Sequence, residues 1–259
     1  MNIKKKSNDN IVDNQKFKIY KQPYNLKQYY KSIIPLKIFQ TWYTKELPPK
    51  MRERVEKLKL THPRFEHYLY DDNDCREFIK NNYNSDVLNA YDRLIPGAYK
   101  ADLWRYCVLY IHGGIYMDIK LSCINGFRLI ELTEHNHLVK DRPLPLSIYN
   151  ALMVSQKGDI LLWRAIQRIV MNVNNKYYGG SPLDPTGPIL LGKIILRNKW
   201  YHHLPIDLHH YHKGGYIVYN NRFIISTEYP EYYKERQNLH NDTNKKYYCE
   251  LWHDKNIYK

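Results

Sequence analysis

The residues best suited to chemistry lie close together near the middle of the chain. Asp102 and Arg105 are three positions apart, so on a helix they share one face. Tyr116, Asp118 and Lys120 occupy alternate positions, so on a strand they protrude from the same face. A charged row of this kind is hard to explain by packing. It predicts a polar pocket whose side chains bond the hydroxyls of a ligand, and the competing interpretation is a salt bridge on a helix surface.

The surrounding sequence indicates how these side chains are positioned. Residues 98–111 have the pattern of an amphipathic helix, and Gly113-Gly114 supplies the positive φ angles that let a helix turn into a strand. Apolar residues then alternate with the polar ones, at Ile115, Met117, Ile119 and Leu121. Ligands of open α/β sheets bind beyond the carboxyl ends of the strands, and Asp118 is expected there.

The segment before this region predicts alternating strands and helices. Residues 33–42 favour a strand, and residues 65–70 favour a second one. Between them, Pro48-Pro49 predicts the start of a helix and His62-Pro63 predicts its end. Asp74 with Glu77 resembles a capping box for the next helix. This order predicts βαβ units and an α/β fold.

Composition narrows the class of protein. The 259 residues carry a formal charge of 40 − 26 = +14, and 43% of them are hydrophobic, which excludes a wholly disordered chain. Four dispersed cysteines without a CxxC pair argue against a disulfide framework. No apolar run approaches the ~20 residues of a membrane helix, and the N-terminus lacks a signal peptide core. We therefore expect a soluble, cytoplasmic protein (host cytoplasm if viral), with a polar tail or docked leader at 1–32 and one domain at 33–259.

Several motifs, in this order, resemble one family of enzymes. They are residues 34–42, the helix Lys100-Ala101-Asp102-Leu103-Trp104-Arg105-Tyr106, the turn and strand Gly113-Gly114-Ile115-Tyr116-Met117-Asp118, residues 149–155, Thr186-Gly187-Pro188, and Leu251-Trp252. Together they look like the DXD sugar-binding glycosyltransferases of family 32 and its relatives, which include yeast-type mannosyltransferases, bacterial capsular enzymes and giant-virus homologues. The resemblance spans roughly residues 33–258. It implies a GT-A fold, a Rossmann-like nucleotide-sugar domain, with additional helices.

The resemblance also implies roles for single residues. Asp102 and Arg105 match positions that hold the hydroxyls of the donor sugar, and Tyr116 lines the same pocket. Asp118 matches the first Asp of the DXD motif, which touches the ribose and the metal shell. With Lys120, the three charged residues Asp102, Arg105 and Asp118 form the expected catalytic set.

Three further residues are expected to bind the donor. Trp42 is similar to residues that flank or stack on the base. Asn150 sits where the family contacts the donor sugar or the acceptor. Trp252 matches a C-terminal indole that can donate to the diphosphate.

The chain departs from the family pattern at Asp118-Ile119-Lys120, where an amine replaces the second carboxylate. In the family that carboxylate binds Mn²⁺ or Mg²⁺, which stabilises the charge of the leaving group. Three explanations stay open. Lys120 replaces the metal electrostatically; a metal binds through Asp118, the diphosphate and a C-terminal group such as Glu250 or His253; or the protein binds a sugar nucleotide without turning it over.

Two other segments invite a functional interpretation. The histidines at 202, 203, 209, 210 and 212 match no zinc motif and are expected to be exposed loop residues rather than metal ligands. The turn-rich segment Gly179 to Pro188 is either a rim of the donor or acceptor site or a plain connection.

The leading hypothesis is a retaining glycosyltransferase that moves a sugar from a UDP- or GDP-sugar to a glycan or other hydroxyl acceptor. The alternative is a non-catalytic binding module for an anionic glycan or nucleic acid, motivated by the +14 charge and the broken DXD motif. Of the two ligands, nucleic acid is the less expected partner.

Overall fold

The computed structural model describes residues 29–143, 146–200, 202–243 and 246–259. Residues 1–28, most of the predicted tail, lie outside this part of the chain. The last residues of the predicted tail, which are described, contact the domain. The Lys31 backbone N–H donates to Glu134 at 3.3 Å, and the hydroxyl oxygens of Ser32 and Thr133 are 2.7 Å apart. The boundary at residue 33 stays a prediction.

The described chain begins with the order strand, helix, strand, helix and continues with two more helices, after which strands and helices follow in a mixed order. The strands are β1 (Lys37–Thr41), β2 (Glu66–Tyr70), β3 (Gly114–Met117), β4 (Ser122–Cys123), β5 (Val139–Pro143), β6 (Leu146–Ile148), β7 (Leu152–Ser155), β8 (Leu208–Tyr211), β9 (Tyr216–Tyr219) and β10 (Arg222–Ser226). The helices are α1 (Pro49–Thr61), α2 (Asp72–Asn82), α3 (Ser85–Arg93), α4 (Gly97–His112), α5 (Ile160–Asn174), α6 (Pro188–Arg197), α7 (Tyr232–Thr243) and α8 (Tyr248–His253), with a 3₁₀ turn at Leu129–Leu132.

The first sheet has the order β2-β1-β3-β7, with the first three strands parallel and β7 antiparallel. Helix α1 connects β1 to β2, as a parallel pair requires. The carboxyl ends of the three parallel strands therefore lie at one edge, where Trp42, Asp71 and Asp118 follow them. The Rossmann-like α/β class predicted from the sequence, with additional helices, is confirmed.

Alternation along these strands divides the core between two faces of the first sheet. Phe39, Tyr116 and Met153 point into the larger cluster, which also holds residues of α2 to α6. Their neighbours Ile38, Ile115 and Val154 point into a second cluster with residues of the second sheet. The strands are buried on both faces because helices cover one side and another sheet covers the other.

The second sheet has the order β4-β10-β9-β8-β5-β6. Its neighbours are antiparallel except for β5 and β8, which run parallel with Val139 opposite Leu208 and Lys140 opposite His209. This sheet joins segments that are far apart in sequence, since Ile225 pairs with Cys123.

Two local predictions were wrong. The capping box at the start of α2 is formed by Asp71 and Asp74, not by Asp74 and Glu77: Asp71 accepts from the Asp74 N–H at 2.9 Å, and Asp74 accepts from the Asp71 N–H at 3.1 Å. The strand expected to run to Leu121 ends at Met117, because the chain turns back with the Leu121 N–H donating to the Asp118 carbonyl at 2.9 Å.

Among the described residues, none of the helices combines the length and the apolar character needed to cross a membrane.

Candidate active site

Helix α4 and strand β3 bring the predicted charged residues together. The connection is Gly113-Gly114, whose φ angles of 64° and 112° are costly for any residue with a side chain. A Cβ on Gly114 would also lie 2.7 Å from the Lys37 carbonyl oxygen of β1. The tight turn packs α4 directly against the sheet face that carries Tyr116, so Asp102 and Arg105 face the end of β3.

Arg105 is the centre of the resulting network. It is only 5% exposed, and its Nη2 lies 3.5 Å from both Asp102 Oδ1 and Asp118 Oδ1. Nη1 donates to the Asn150 carbonyl at 2.7 Å, and the guanidinium lies 4.3 Å from the centre of the Tyr116 ring. Burial alone would lower the pKa of Arg105, but Tyr116, Asp118 and Asp102 raise it. Arg105 is therefore a fixed positive charge.

Asp102 is buried and held by neutral donors as well as by Arg105. The Thr186 hydroxyl donates to its Oδ2 at 2.7 Å, and the Asn150 amide donates to its Oδ1 at 2.9 Å. Burial raises the pKa of this carboxyl despite Arg105 and these hydrogen bonds. Gly187 lies beside it, since a Cβ there would be 3.2 Å from Asp102 Oδ2. The turn-rich segment ending at Pro188 thus forms a wall of the site.

Asp118 is the more accessible carboxylate of the network. Its side chain is 25% exposed, against 11% for Asp102. The Tyr116 hydroxyl donates to Asp118 Oδ1 at 2.7 Å, and burial raises the pKa of Tyr116 well above its usual value. The Asp118 N–H donates to the Ala151 carbonyl at 2.7 Å, which fixes the backbone at the end of β3. Asp118 therefore presents a carboxylate oriented by a phenol and a guanidinium.

Lys120 lies on the other side of the turn, beside α7. Its Nζ is 5.5 Å from the centre of the Tyr232 ring, and the Arg236 guanidinium is also 5.5 Å from that ring. Arg236 additionally lies 4.8 Å from the Tyr247 ring, and its Nε is buried with no hydrogen-bond partner among the residues that the structure describes. Two cations thus flank the Tyr232 ring. Burial raises the pKa of Tyr232 to about 12, and the nearby charge of Asp118 contributes to this rise.

Trp42 belongs to the same rim. It packs against the small cluster that contains Ile119, Tyr229 and Tyr232, and its Nε1 is buried without a partner among the described residues. Since Trp42 follows β1 and Ile119 follows Asp118, the indole flanks the turn that carries Asp118 and Lys120.

Asn150 positions the network from the turn just before β7. Its amide donates to Asp102 and, at 2.8 Å, to the Tyr106 hydroxyl, while its carbonyl accepts from Arg105. The Tyr106 hydroxyl in turn donates to the Thr186 carbonyl at 3.0 Å. Asn150 is 5% exposed, so its polar groups are used within the protein.

Trp252, which was expected to contact the donor diphosphate, makes contacts within the protein. Its indole N–H donates to the Tyr178 carbonyl at 2.7 Å, and its ring lies 4.7 Å from Lys255 Nζ. The indole N–H that was expected to face a diphosphate therefore already has a hydrogen-bond acceptor within the protein. The helix α8 that carries it does pack on α4, where the rings of Tyr248 and Tyr99 are 5.9 Å apart.

The proposed metal ligands Asp118, Glu250 and His253 do not come together. Glu250 is exposed and accepts from the Tyr247 N–H at 3.1 Å, capping its own helix, and His253 is exposed. Among the described residues, two groups of carboxylate and imidazole atoms are close enough to share a cation, and neither includes these three. Mn²⁺ and Mg²⁺ prefer several oxygen ligands, so a set of one carboxylate with Lys120 nearby does not fit an ion held by this chain.

The prediction of exposed loop histidines was wrong for His210, which lies in β8 with its side chain only 11% exposed, and it agrees with His212, which follows the strand and is 47% exposed. His210 and His212 lie 2.9 and 3.1 Å from Asp141 of β5. The second group joins His135 and His137 to Asp207. Burial raises the pKa of Tyr149, which is also within electrostatic reach of Asp118 and Asp141. Its ring stacks on His210 with the ring centres 4.1 Å apart.

The sequence missed Tyr106, Thr186 as a partner of Asp102, Tyr232 and Arg236. Tyr106 could have been found, because it is four residues after Asp102 on the same helix. Thr186 lies 84 residues from Asp102, and no local pattern signals such a contact.

Part of the chain matches a known protein family. Residues 48–144 match the family described as glycosyltransferase sugar-binding region containing DXD motif. Inositol phosphoceramide mannosyltransferase 3 of Schizosaccharomyces pombe is 32% identical over 164 residues, which are 62% of this chain and 44% of the relative. An uncharacterized glycosyltransferase of Acanthamoeba polyphaga mimivirus is 36% identical over 93 residues, 35% of this chain and 37% of the relative.

The chain spans less than half the length of each of these relatives. A solved structure, the PaToxG glycosyltransferase, superposes with a TM-score of 0.49 at 15% identity over 64% of this chain and 70% of the other. By its sequence matches, the chain is similar over residues 48–144 to the sugar-binding region with the DXD motif, and over partly overlapping lengths to a yeast mannosyltransferase and a viral glycosyltransferase.

Proposed function

We propose that the protein transfers a sugar from a nucleotide diphosphate sugar to a hydroxyl acceptor, with retention of configuration. The observation that carries the proposal is Asp118: a partly exposed carboxylate at the end of a buried parallel strand, oriented by Tyr116 and Arg105. Charged groups held in this way cost no reorganisation when a ligand arrives.

Within the network, the exposed fraction of each carboxylate indicates whether it can contact a ligand or only holds other side chains in place. Asp118 has the larger exposed fraction and is the carboxylate we expect to touch the donor. Asp102 accepts from Thr186 and Asn150 and pairs with Arg105, so it offers less free surface. Its main role in our proposal is to hold Arg105, while its exposed edge and Tyr116 line the sugar pocket.

The leaving group carries the negative charge of a diphosphate. Lys120 and Arg236, both beside Tyr232, are the cations we expect to offset that charge. Trp42 on the same rim offers an aromatic face to the nucleotide base. DXD glycosyltransferases commonly use a divalent metal, but the side chains around Asp118 do not offer the ligands that such an ion needs. The proposed reaction therefore uses Lys120 and Arg236 to offset the charge of the leaving group.

The proposed reaction is a front-face substitution. The bond from the anomeric carbon to the phosphate oxygen breaks, and its electron pair leaves with the nucleoside diphosphate. The acceptor oxygen bonds to the same face of that carbon, and its proton passes to the departing phosphate. This route needs no protein nucleophile, and both carboxylates of the network are already engaged by hydrogen bonds and Arg105.

The relatives indicate which donor to test first. One of them is named a mannosyltransferase, so GDP-mannose is the first donor in our proposal, followed by UDP-sugars. The acceptor class is a glycan or another hydroxyl compound.

A panel of nucleotide sugars in a thermal-shift assay tests this function. We expect one sugar nucleotide to stabilise the protein selectively, by about 2.7 kcal/mol at 100 times its dissociation constant. Each compound is measured with and without Mn²⁺, and stabilisation without Mn²⁺ is the expected result. Stabilisation by RNA or DNA that falls steeply with salt, and by no sugar nucleotide, would instead support a binding module.

A further inference from the structure

The parallel strands β5 and β8 carry a group of metal-ligand type side chains that the transfer reaction does not use. His210 and His212 are two positions apart along the extended chain, so their imidazoles lie on one side of it. Lys140 pairs with His209, so the next residue of β5, Asp141, comes opposite His210. We call Asp141, His210 and His212 the β5–β8 triad.

The geometry of the β5–β8 triad is close to that of a metal site. His210 Nδ1 lies 2.9 Å and His212 Nε2 lies 3.1 Å from the same oxygen, Asp141 Oδ1. His212 Nε2 is also 3.2 Å from the Asp141 carbonyl oxygen. Ligands of a tetrahedral zinc ion at about 2.0–2.2 Å are roughly 3.3 Å apart, so movements of a few tenths of an ångström would admit the ion.

The surroundings hold these ligands in place. The Asp141 side chain is 7% exposed, and the Ser147 hydroxyl donates to its other oxygen, Oδ2, at 2.9 Å. Tyr149 stacks on His210 with an interplanar angle of 27°. Hydrogen bonds to a ligating carboxylate and packing against a ligating imidazole are the outer-shell supports of protein metal sites. His212 is 47% exposed, which leaves a path for the ion and room for water.

We propose that Asp141, His210 and His212 bind a divalent transition-metal ion of the Zn²⁺ class. Two imidazoles and one carboxylate suit Zn²⁺ better than Mg²⁺ or Ca²⁺, which prefer oxygen ligands. The site does not include Asp118, although Tyr149, whose ring stacks on His210, is within electrostatic reach of that carboxylate. Bound metal would clamp β5 to β8. The proposal does not depend on the sugar-transfer activity.

The other group, His135, His137 and Asp207, is a weaker candidate for a physical reason. A metal on His137 Nδ1 would force the proton onto Nε2, and that atom is buried with no hydrogen-bond partner in the described part of the chain. Ligating histidines normally donate their second N–H to an acceptor. With Nδ1 protonated instead, His137 donates to Asp207 at 2.8 Å and Nε2 carries no proton. His135, His137 and Asp207 are therefore better explained as a group of side chains joined by hydrogen bonds.

The test is Zn²⁺ affinity of the metal-stripped full chain, measured by competition with a chelating dye. Wild type is compared with His212→Ala, the most exposed member of the triad, and with Asp141→Asn. We expect each variant to bind at least about 100-fold more weakly, and Ser147→Ala about 10-fold more weakly. Co²⁺ in place of Zn²⁺ should give visible absorption bands that His212→Ala abolishes, a signature that a purely structural role would not produce.

Two matched variants separate this site from the other histidines. His209→Ala, on the opposite side of the same strand, and His135→Ala, in the second group, should leave Zn²⁺ affinity unchanged. Unfolding curves without metal establish that His212→Ala is folded. The proposal is overturned if His212→Ala and wild type bind Zn²⁺ equally, or if affinity is lost in His135→Ala instead.

Discussion

Arg105 shows how single residues build this site. A buried guanidinium is costly unless it is paired and hydrogen-bonded, and Arg105 meets two carboxylates, the Asn150 carbonyl and the Tyr116 ring. Each partner is thereby fixed relative to the others. The orientation of Asp118 thus depends on the whole group and not on its own torsion angles.

Tyr116→Phe removes one hydroxyl from this group and keeps the ring under Arg105. Because a hydrogen bond to a charged acceptor contributes about 1.5–3 kcal/mol, we expect turnover to fall roughly 10- to 100-fold. Water can reach Asp118, so the unfolding midpoint should move by only about 2–4 °C. Tyr91→Phe is the matched control, since that buried tyrosine donates its hydroxyl to the Asp72 carbonyl of α2 and not to the Asp118 network. Equal turnover in the two variants would contradict the role of the Tyr116 hydroxyl.

The residues of the site divide by how far apart their partners are in sequence. Asp102, Arg105, Tyr116 and Asp118 could be predicted because helix and strand periodicity places neighbours within one turn or one pleat. Thr186 and Arg236 could not, because their contacts depend on packing of distant segments. Trp252 was assigned through family resemblance alone, and the structure gives its N–H to the Tyr178 carbonyl.

At the scale of elements, α6 packs against β6 so closely that a side chain is excluded. A Cβ on Gly192 would lie 1.8 Å from the Leu146 carbonyl oxygen, which is backbone and cannot rotate away. Gly97, at the start of α4, has no atom within 4 Å of such a Cβ. We expect Gly192→Ala to lower the free energy of unfolding by about 3 kcal/mol or more. Gly97→Ala should be neutral or stabilise by up to about 1 kcal/mol.

Urea denaturation of both alanine variants checks this contrast. If Gly192→Ala were as stable as Gly97→Ala, the close approach of α6 to β6 would be wrong.

His67 makes the first sheet sensitive to acid. His67 Nε2 lies 2.8 Å from Gln40 Oε1, and the Gln40 amide donates to the Met117 carbonyl, so the three residues link β2, β1 and β3. Burial, aided by Lys59, lowers the pKa of His67 from 6.5 to about 4. As the pH falls, His67 therefore binds a proton in the unfolded chain at a higher pH than in the folded protein. The contribution of neutral His67 to the free energy of unfolding is fully present above about pH 6.5 and is lost as the pH falls towards 4.

This shift predicts a specific pH dependence. Between about pH 7.5 and pH 5, wild type should lose about 2 kcal/mol more unfolding free energy than His67→Gln, which can still donate to Gln40. Urea titrations of both proteins at the two pH values measure the difference. Parallel losses in the two proteins would show that His67 is not the group responsible.

For the molecule as a whole, the first sheet was predictable and the second was not. Strand, helix, strand order implies parallel pairing, because a crossover must return the chain in the same direction. The second sheet pairs β4 with β10 and β5 with β8 across long stretches of chain, and its strands are too short to show clear periodicity. The β5–β8 triad was missed for that reason: Asp141 and His210 are distant in sequence.

The domain prediction leads to an experiment on chain length. The described residues contain three packed hydrophobic clusters, and at the N-terminal side Lys31 and Ser32 contact Glu134 and Thr133 of the domain. A chain truncated to residues 29–259 should therefore unfold in one cooperative transition, within about 2–4 °C of the full-length midpoint. Calorimetry of both chains would contradict the prediction if the truncated chain melted much earlier or in two steps.

The most direct test of the central claim is nucleotide release from the preferred sugar nucleotide by wild type, Asp118→Asn and Asp86→Asn. Asp86 is an exposed acid at the start of α3 and serves as the matched control. If Asp118, held by Tyr116 and Arg105, grips the donor, its amide variant should turn over about 10²–10³-fold more slowly while remaining folded, and Asp86→Asn should match wild type. Wild-type turnover by a folded Asp118→Asn protein would contradict the account.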